Sequence, residues 1–439
     1  MSTLKWNRSV CWIALACLVV PMFASYFFDD MFSTISYLFE DPSRTALGWD
    51  AAGYGLYTSG YSLLCVFGGL VVCGILLDKW GVRVTGSIFV GMMAGGALLV
   101  LYAITAGFPP AKSLRLAYAG CMFFGLGSEI AGTAVTRSIA KWFKDGPMAL
   151  AMGLQLAIAR LGTAVALVLS PRLVVENAGH VYSLAETARP AVFGVGLMAV
   201  GLILWAVFVA LDARYDKVHG AAQVAAEDPF KLADVWGVLK NKNFWMLGLL
   251  CVLFYSSIIA FKKFAGAILI PRFGIPAATA GWMVSMLPFS TVVFAPLFGL
   301  LVDKKGKGTR WMILGSILAL IAHLLLAFAP AGVPFYGYLS MVFLGFGYSL
   351  VPAALWPSVP KIVPDKVLGT TYSLIYWVQN LGLLSFKWLA GAILGSAAAG
   401  PVRVEIMFVL LCIAAVAIAL LFARTSDRHP ELGLDRSHS

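Results

Sequence analysis

The segment Gly74-Ile-Leu-Leu-Asp78-Lys79-Trp-Gly81-Val-Arg83 recurs later in the chain as Gly299-Leu-Leu-Val-Asp303-Lys304-Lys-Gly306-Lys307. Both copies follow the pattern G-x-x-x-D-K-x-G, and their first glycines, at positions 74 and 299, are separated by 225 residues. Each copy comes directly after a long apolar run. A motif repeated at this distance predicts that the chain consists of two related halves. We call residues 74–83 and 299–307 the first and second repeat loops.

The residue types in the repeat loops suit tight turns between helices. Glycine adopts backbone conformations that such turns require, and an aspartate can interact with the positive end of a neighbouring helix and with basic groups. These contacts can hold one conformation of a moving protein, so we expect the loops to act as conformational latches. The residues expected to form them are Gly74, Asp78, Lys79, Gly81, Arg83, Gly299, Asp303, Lys304 and Gly306.

The composition is that of an integral membrane protein. Of the 439 residues, 60% are hydrophobic and 12% charged, and the mean hydropathy is +0.87. Runs of about 20 apolar residues are long enough to cross a bilayer, and they must be helical because backbone polar groups in lipid need internal partners. The predicted spans are 9–37, 50–77, 84–106, 115–140, 148–171, 190–211, 243–266, 280–302, 311–329, 335–359, 370–395 and 403–423.

The order of these spans predicts an all-α membrane protein with twelve transmembrane helices in two pseudo-symmetric six-helix bundles. We expect residues 1–211 to form the first bundle, residues 212–242 a cytoplasmic linker, and residues 243–439 the second bundle with a short cytoplasmic tail. Basic residues concentrate in loops on one side of the predicted spans, which places both termini in the cytoplasm. The net charge of +11 therefore reflects topology rather than nucleic-acid binding.

Enzymatic chemistry has no support in the sequence. The seven cysteines lie within or beside apolar runs without ligand-like spacing, and no glycine-rich phosphate loop or nucleophile motif is present. We therefore expect neither a metal nor a cofactor. The N-terminal apolar run continues through Phe28, beyond the length of a signal peptide, and is predicted to be the first helix.

Two ionisable residues fall in the middle of apolar runs on either side of the polar turn at residues 141–147. Counted from that turn at about 1.5 Å per residue, Glu129 and Arg160 lie about 18 and 20 Å deep. An acid and a base at matching depth on consecutive helices can form a pair. Because charges inside a membrane are costly, such residues indicate a functional site, although a purely structural salt bridge is the alternative.

Other polar residues lie within the predicted spans. Asp29 and Asp30, and likewise Lys262 and Lys263, lie roughly 30 Å from the cytoplasmic face, near the outer end of the first and seventh spans. They either form a gate or simply reach the outer water. Gln379 and Asn380 are at mid-membrane on the eleventh span, where they can bind substrate or join helices. Lys387 on the same span can bind an anion or extend its amine toward the interface.

The two repeat loops, which follow the second and eighth spans, resemble the signature of the major facilitator superfamily, whose two six-helix halves rock around a central site. The finer resemblance is to the lysosomal dipeptide transporter branch. It rests on Phe23-Ala-Ser-Tyr26-Phe27-Phe-Asp-Asp30, Gly127-Ser-Glu129, Lys141-Trp142-Phe143-Lys144, Gly153-Leu-Gln155-Leu-Ala-Ile-Ala159-Arg160-Leu-Gly162, Leu355-Trp356-Pro357 and Gln379-Asn380-Leu-Gly382.

This resemblance implies transport of dipeptides without obligatory ion coupling. A dipeptide carries an ammonium and a carboxylate, so we expect Arg160 to bind the carboxylate through its bidentate guanidinium. Glu129 is expected to bind the ammonium, or to hold Arg160 when the site is empty. The substrate-binding residues expected are Glu129, Arg160, Gln155, Asn380, Gln379 and Tyr26, and the expected gate residues are Asp30, Lys262 and Lys263.

Two alternatives remain at this point. One keeps the transporter fold but moves small organic anions such as mono- or dicarboxylates, with Arg160, Lys262 and Lys387 as the complementary charges. The other is a membrane sensor or assembly subunit without transport activity. The short tails favour a bacterial inner membrane. The expected partners are a small-molecule substrate and the lipid bilayer, with no nucleic acid, and we expect a monomer.

Overall fold

The computed structural model describes residues 8–39, 41–143, 147–174, 180–219, 232–364, 367–395 and 400–436. These residues are helical apart from short connections and one isolated bridge between Thr45 and Tyr182. The helices are α1 (Arg8–Asp30), α2 (Ala51–Leu64), α3 (Leu70–Thr105), α4 (Pro110–Trp142), α5 (Met148–Leu173), α6 (Leu184–His219), α7 (Leu232–Leu239), α8 (Lys242–Lys263), α9 (Ala265–Phe273), α10 (Ala277–Lys305), α11 (Gly308–Phe328), α12 (Pro334–Leu355), α13 (Val359–Ile362), α14 (Leu368–Gly395) and α15 (Gly400–Arg428).

Nine helices in the described part of the chain are long and apolar enough to cross a membrane. The predicted second, fourth and eleventh spans fall outside those nine but are helical, as α2 with the start of α3, α4 and α14. Polar residues such as Glu129 in α4 and Lys387 in α14 lower their hydropathy. The all-helical membrane fold is confirmed, and its helices are consistent with twelve spans.

The first repeat loop is a sharp bend within α3. Gly81 adopts φ 72° and ψ 174°, a conformation that favours glycine, and it separates the second predicted span from the third. A π-helical turn at Cys65–Gly69 interrupts the second span closer to its centre. In the second repeat loop, Gly306, with φ 61°, ends α10. The side chain of Asp78 and the surroundings of Gly74 lie outside the described part of the structure.

The packing of the helices repeats with the two-fold pattern that the repeat loops predict. In the first half, α3 packs on α4 and α6, and its counterpart α11 packs on α12 and α15. Likewise, α1 packs on α5 and α6, and its counterpart α8 packs on α14 and α15. The two halves meet where α2 packs on α14 and where α5 packs on α10. These two contacts are related by the same repeat, and they enclose the space between the halves.

The contact between α2 and α14 depends on glycine. A Cβ atom placed on Gly55 would lie 2.7 Å from the Cα of Gly391, and one on Gly391 would lie 2.5 Å from the carbonyl oxygen of Ala51. Any side chain at either position would force the helices apart. This close approach lies near the end of α1 that carries Asp30. We call that the outer side, and the side of Arg8 the inner side.

A cluster of charges joins the helices of the first half at the inner side. Lys141 at the end of α4 forms ion pairs with Asp212 (2.8 Å) and Asp216 (2.6 Å) on α6. Arg83 of the first repeat loop lies 3.7 Å from Asp212 and 3.2 Å from Asp216. The counterpart in the second half is the exposed pair of Arg310 and Asp427, at 2.7 Å. Both sets of contacts lie within one half, not between halves.

The second repeat loop is bound by a residue near the C-terminus that the sequence did not indicate. The carboxylate of Asp435 accepts hydrogen bonds from the backbone N–H and the hydroxyl of Thr309, at 2.8 Å and 3.0 Å, in the first turn of α11. This is the contact with a helix N-terminus that was expected of the loop aspartate. Asp303 lies nearby and lines a pocket with Lys361 and Leu434.

The predicted linker, residues 212–242, is partly helical. α6 continues to His219 and α7 begins at Leu232. Residues 220–231 lie outside the described part of the structure. The proposed domain boundaries therefore stay predictions.

Candidate functional site

Glu129 lies on α4 in a small hydroxyl network contributed by α1 and α2. Its Oε1 accepts a hydrogen bond from the Tyr61 hydroxyl at 3.0 Å. The Ser128 hydroxyl is 3.2 Å from Tyr61 and 2.6 Å from the hydroxyl of Ser25 on α1. Among the described residues, Glu129 is bound by a neutral hydroxyl and has no cation within ion-pair distance.

Arg160 on α5 is bound by the opposite half of the protein. Its Nη1 donates a 2.6 Å hydrogen bond to the hydroxyl of Tyr348 on α12, and its guanidinium carbon lies 5.2 Å from the centre of that ring. No ion pair joins Arg160 to Glu129 among the described side chains. The expected pairing of Arg160 with Glu129 in the empty site is not observed, because Tyr348 and Tyr61 occupy the two charged groups separately.

Aromatic side chains of the second half continue from Tyr348. The Tyr255 ring centre lies 6.1 Å from that of Tyr348, and the Tyr255 hydroxyl accepts a 3.1 Å hydrogen bond from Trp356 Nε1. Trp356 in turn stacks on Tyr376, with ring centres 5.1 Å apart. Together these rings form a wall beside Arg160 that offers hydroxyl groups and flat apolar faces to a ligand.

The other expected binding residues lie on helices around this space. Tyr26 on α1 is close enough to interact electrostatically with both Arg160 and Glu129. Asn380 donates to the Tyr376 carbonyl at 3.1 Å, and its buried Oδ1 has no hydrogen-bond partner in the described structure. Gln379 is buried beside it, and Gln155 is half-buried one and a half turns before Arg160 on α5.

The expected gate residues are in direct contact at the outer side. Lys262 Nζ lies 2.6 Å from Asp30 Oδ2, and Lys263 Nζ lies 3.0 Å from Asp30 Oδ1 and 2.8 Å from Asp29 Oδ2. Asp30 is only 1% exposed. One buried carboxylate therefore holds two lysines. The alternative that these charges simply reach the outer water is wrong for Asp30 and Lys263.

Further hydrogen bonds join this cluster to two more helices. Thr163 on α5 donates to Asp30 Oδ2 at 2.8 Å, and Tyr54 on α2 donates to the Lys263 carbonyl at 3.0 Å. Arg160, Thr163, Lys262 and Tyr348 line a small cavity together with apolar side chains of α8 and α10. The cavity places the Arg160 site directly below the outer charge cluster.

Lys387 is buried, which differs from the expected extension to the membrane interface. Its side chain is 2% exposed, and its Nζ lies 5.3 Å from the centre of the Tyr61 ring. Within the described residues no carboxylate lies within ion-pair distance of it. Lys387 lies on α14 close to the contact of Gly55 with Gly391, where α14 packs on α2. Its amine therefore does not extend to the membrane interface.

Several important residues were not found by sequence reasoning. Tyr61, Ser128 and Thr163 are ordinary residues of apolar spans, and their roles come only from which helix they face. Tyr348 is one of many aromatic residues in the apolar spans, and no motif distinguishes it. Asp435 lies in a short polar segment without a motif. Thr163 lies three residues after Arg160 on the same helix face, and of these residues it is the one that this spacing could have indicated.

Two like bundles around a central space that contains half-buried groups of opposite charge define a membrane transporter. The chain belongs to the Major Facilitator Superfamily, whose profile matches residues 19–384 and 264–437. The resemblance that the repeat loops indicated is thereby confirmed.

Relatives with assigned names point in the same direction. The chain is 30% identical over 425 residues to the lysosomal dipeptide transporter MFSD1 of Danio rerio, covering 94% of this chain and 87% of that one. It is 31% identical over 382 residues to the protein of the same name from Homo sapiens, covering 84% and 75%. Both relatives are named lysosomal, and they give no support to the expected bacterial inner membrane.

Solved structures show the same fold. The nucleoside transporter NupG superposes with a TM-score of 0.69 at 14% identity, covering 94% of this chain and 98% of that one. The peptide transporter POT in complex with sulfate superposes with a TM-score of 0.68 at 17% identity, covering 95% of each chain. At these identities the superpositions establish the fold only, and the substrate must be inferred from the site.

Proposed function

We propose that this protein transports dipeptides across a membrane by alternating access, as a uniporter. The observation that carries the proposal is that Glu129 and Arg160, two half-buried residues of opposite charge, are bound to different tyrosines instead of each other. A zwitterionic ligand with one ammonium and one carboxylate satisfies both charges at once. The relatives named dipeptide transporters support the same substrate class.

Arg160 binds the substrate carboxylate in this proposal. Its guanidinium has donors beyond the one directed at Tyr348, and a carboxylate can accept two of them in parallel. Because Tyr348 belongs to the second half and Arg160 to the first, the carboxylate replaces or shares a hydrogen bond between the halves. Substrate binding thereby changes a contact that must break or reform during the transport cycle.

Glu129 binds the substrate ammonium, and the amide-bearing residues bind the peptide bond. The Asn380 Oδ1 is a buried acceptor without a partner in the described structure, so it suits the amide N–H of a dipeptide. Tyr26 lies near both charged groups, and Gln379 and Gln155 extend the polar surface. The stacked Trp356 and Tyr376 face apolar substrate side chains.

Alternating access follows from contacts that close the outer side. Asp30, Lys262 and Lys263 form the outer gate, and they separate when the halves open outward. Desolvated charges cannot be left without partners, so opening must admit water to all three. The repeat loops, with Arg83 bound to Asp212 and Asp216, hold the helices of each half together while it rotates as a unit.

Uniport is consistent with the neutral partners of the two central charges. A dipeptide supplies both countercharges itself, so no additional ion is required to neutralise the loaded site. We further propose that both termini face the cytoplasm, as the distribution of basic residues predicts, and that the monomer is the transporting unit, since each chain contains both halves of its own cavity.

Transport of small organic anions is the second candidate, and the unpaired Lys387 is the observation that favours it. Arg160 and Lys387 together resemble a site for a dicarboxylate. A dicarboxylate would leave the half-buried Glu129 without a cation. A zwitterionic dipeptide provides a partner for Glu129 as well as for Arg160, so it accounts better for the charges of the site. The sensor alternative accounts for none of these central charges.

Uptake by purified protein in vesicles tests the proposed function. Without any proton or sodium gradient, labelled Ala-Ala should equilibrate across the vesicle membrane. Unlabelled dipeptide on the opposite side of the membrane should accelerate the exchange of the label. An imposed proton gradient should not concentrate it. Uphill accumulation driven by protons would contradict uniport, and exchange of dicarboxylates without dipeptides would favour the second candidate. An absence of both activities would favour the sensor.

A further inference from the structure

The charges between the two halves are not balanced. The candidate site and the outer gate together contain seven ionisable residues, three carboxylates and four cations, namely Asp29, Asp30, Glu129, Arg160, Lys262, Lys263 and Lys387. Asp29 and Asp30 are paired with Lys262 and Lys263. Glu129, Arg160 and Lys387 remain, and they leave one positive charge in excess.

Among the described residues, neither Arg160 nor Lys387 has a carboxylate within ion-pair distance, and a dipeptide carboxylate compensates only Arg160. Asp29 is already paired with Lys263, at 2.8 Å. Lys387 Nζ lies over the face of the Tyr61 ring, 5.3 Å from the ring centre. A cation–π contact offsets only part of the cost of burying an ammonium, so the site retains an attraction for an anion.

Lys387 also has a defined position relative to Glu129. The Tyr61 ring lies between them: its hydroxyl donates to Glu129 Oε1 at 3.0 Å, while Lys387 Nζ lies over its face. Because Glu129 and Lys387 contact the same ring, the first residue of a dipeptide whose ammonium binds Glu129 lies near Lys387. The substrate carboxylate bound to Arg160 is directed instead toward Tyr348.

We propose that Lys387 forms a subsite for an acidic side chain on the first residue of the substrate, so that the protein prefers dipeptides beginning with aspartate or glutamate. This inference rests on the proposed dipeptide function and specifies its substrate class. A zwitterionic dipeptide satisfies Glu129 and Arg160 and leaves Lys387 uncompensated. One additional carboxylate neutralises the three residues together, and in a desolvated site this difference is large.

The test is competition against exchange of labelled Ala-Ala by purified protein in vesicles. Asp-Ala and Asn-Ala are nearly identical in size and differ in charge. We expect Asp-Ala to compete about tenfold more strongly than Asn-Ala, as one charge-assisted hydrogen bond to a buried group would give. Ala-Asp, with the same charge on the second residue, should show a smaller advantage over Ala-Asn, and Lys-Ala should compete weakly.

Variants then assign the preference to one residue. Lys387→Gln should bring the ratio of Asp-Ala to Asn-Ala competition close to one, and Lys387→Arg should keep it above one. Lys112→Gln, at the exposed outer end of α4, is the matched control and should not change the ratio. If Lys387→Gln does not fold, the ratio of Asp-Ala to Asn-Ala competition in the wild-type protein still tests the preference for an acidic first residue.

The outcomes separate this inference from the function on which it rests. Exchange of Ala-Ala with equal competition by Asp-Ala and Asn-Ala would overturn the acidic subsite and keep the dipeptide function. A preference that persists in Lys387→Gln would assign the subsite to another residue and overturn the role of Lys387. No exchange of any dipeptide would overturn both.

Discussion

Arg160 of the first half donates a 2.6 Å hydrogen bond to the hydroxyl of Tyr348 in the second half. This contact crosses the space between the bundles, and Glu129 is bound separately by Tyr61 at 3.0 Å. Two different tyrosines thus bind the two central charges. A ligand that bridges them does not first have to break a buried salt bridge, which would be costly.

Arg160→Lys should lower dipeptide uptake by about 10- to 100-fold, because an ammonium cannot bind a carboxylate in the bidentate way and loses a charged hydrogen bond. The measurement is initial uptake into vesicles at matched protein amounts. Arg172→Lys, at the exposed outer end of the same helix, is the control and should transport normally. Undiminished transport by Arg160→Lys would remove the carboxylate role of Arg160.

Asp30→Asn should destabilise the protein more than Lys262→Met. The first change leaves Lys262 and Lys263 with Asp29 alone, whereas the second leaves Asp30 paired with Lys263. Breaking a buried pair from one side costs up to about 3–5 kcal/mol. Thermal unfolding of the purified variants measures the order, with the exposed Asp41→Asn as control.

The shared carboxylate also limits rescue by charge exchange. Exchanging Asp30 and Lys262 would place a lysine beside Lys263, so the double variant should recover transport only in part. An Asp30→Asn variant as stable as Lys262→Met would show that the two lysines do not depend on Asp30, and it would remove the outer gate as proposed.

Gly391→Ala should abolish most transport, because its Cβ would lie 2.5 Å from the Ala51 carbonyl oxygen and would push α14 away from α2. Overpacking of this kind costs about 1–3 kcal/mol in the closed arrangement. Gly395→Ala is a control on the same helix, since its Cβ would meet its nearest neighbour, Ala52, at an ordinary 3.5 Å. Equal uptake by the two variants would mean that the outer sides need not approach this closely.

Asp212→Asn should lower the free energy of unfolding by about 1.5–3 kcal/mol. The Asp212 carboxylate accepts hydrogen bonds from Lys141 and from Trp142 Nε1, both at 2.8 Å, while it is nearly buried. Asp427→Asn removes the counterpart in the second half, where the carboxylate is 54% exposed, and should cost less than about 1 kcal/mol. Denaturation of both variants distinguishes a structural cluster from a surface pair, and similar losses would contradict this assignment.

Asp435→Ala should cost about 0.5–2 kcal/mol, because it removes the side chain that caps the N-terminus of α11 through Thr309. Glu431→Ala, only four residues earlier and 68% exposed at its side chain, should change the unfolding free energy by less than about 0.5 kcal/mol. The comparison by thermal unfolding tests whether the C-terminal segment is attached to the second repeat loop. No difference between the two variants would show that it is not.

The fold was largely predictable because each signal that defines it is local. Apolar length determines where helices form, and a lipid environment requires those helices to satisfy their own backbone groups. The recurrence of the repeat loops indicated two halves without any knowledge of packing. The interruption of the second span at Cys65–Gly69 was not predicted, because it depends on how Phe67 and Gly68 leave the helical conformation.

The sequence indicated candidate site residues but not how they pair. Depth counting placed Glu129 and Arg160 at one level, and it placed Asp30 and Lys262 at another. Depth gives only one coordinate. Which residue faces which depends on the rotation of each helix and on the contact between halves, and those determined that Arg160 meets Tyr348 and that Glu129 meets Tyr61.

The sequence alone determined that this chain is a two-part helical membrane protein with ionisable residues at two depths, because hydropathy, repeats and charge position are properties of the chain in one dimension. The tertiary structure decided that Asp30 holds both Lys262 and Lys263, and that Lys387 is buried with no carboxylate of the described residues at ion-pair distance. Those facts depend on α1 meeting α8 and on α14 meeting α2 across the two halves. Packing in three dimensions fixes such distances between residues more than 200 positions apart, and no local pattern records them.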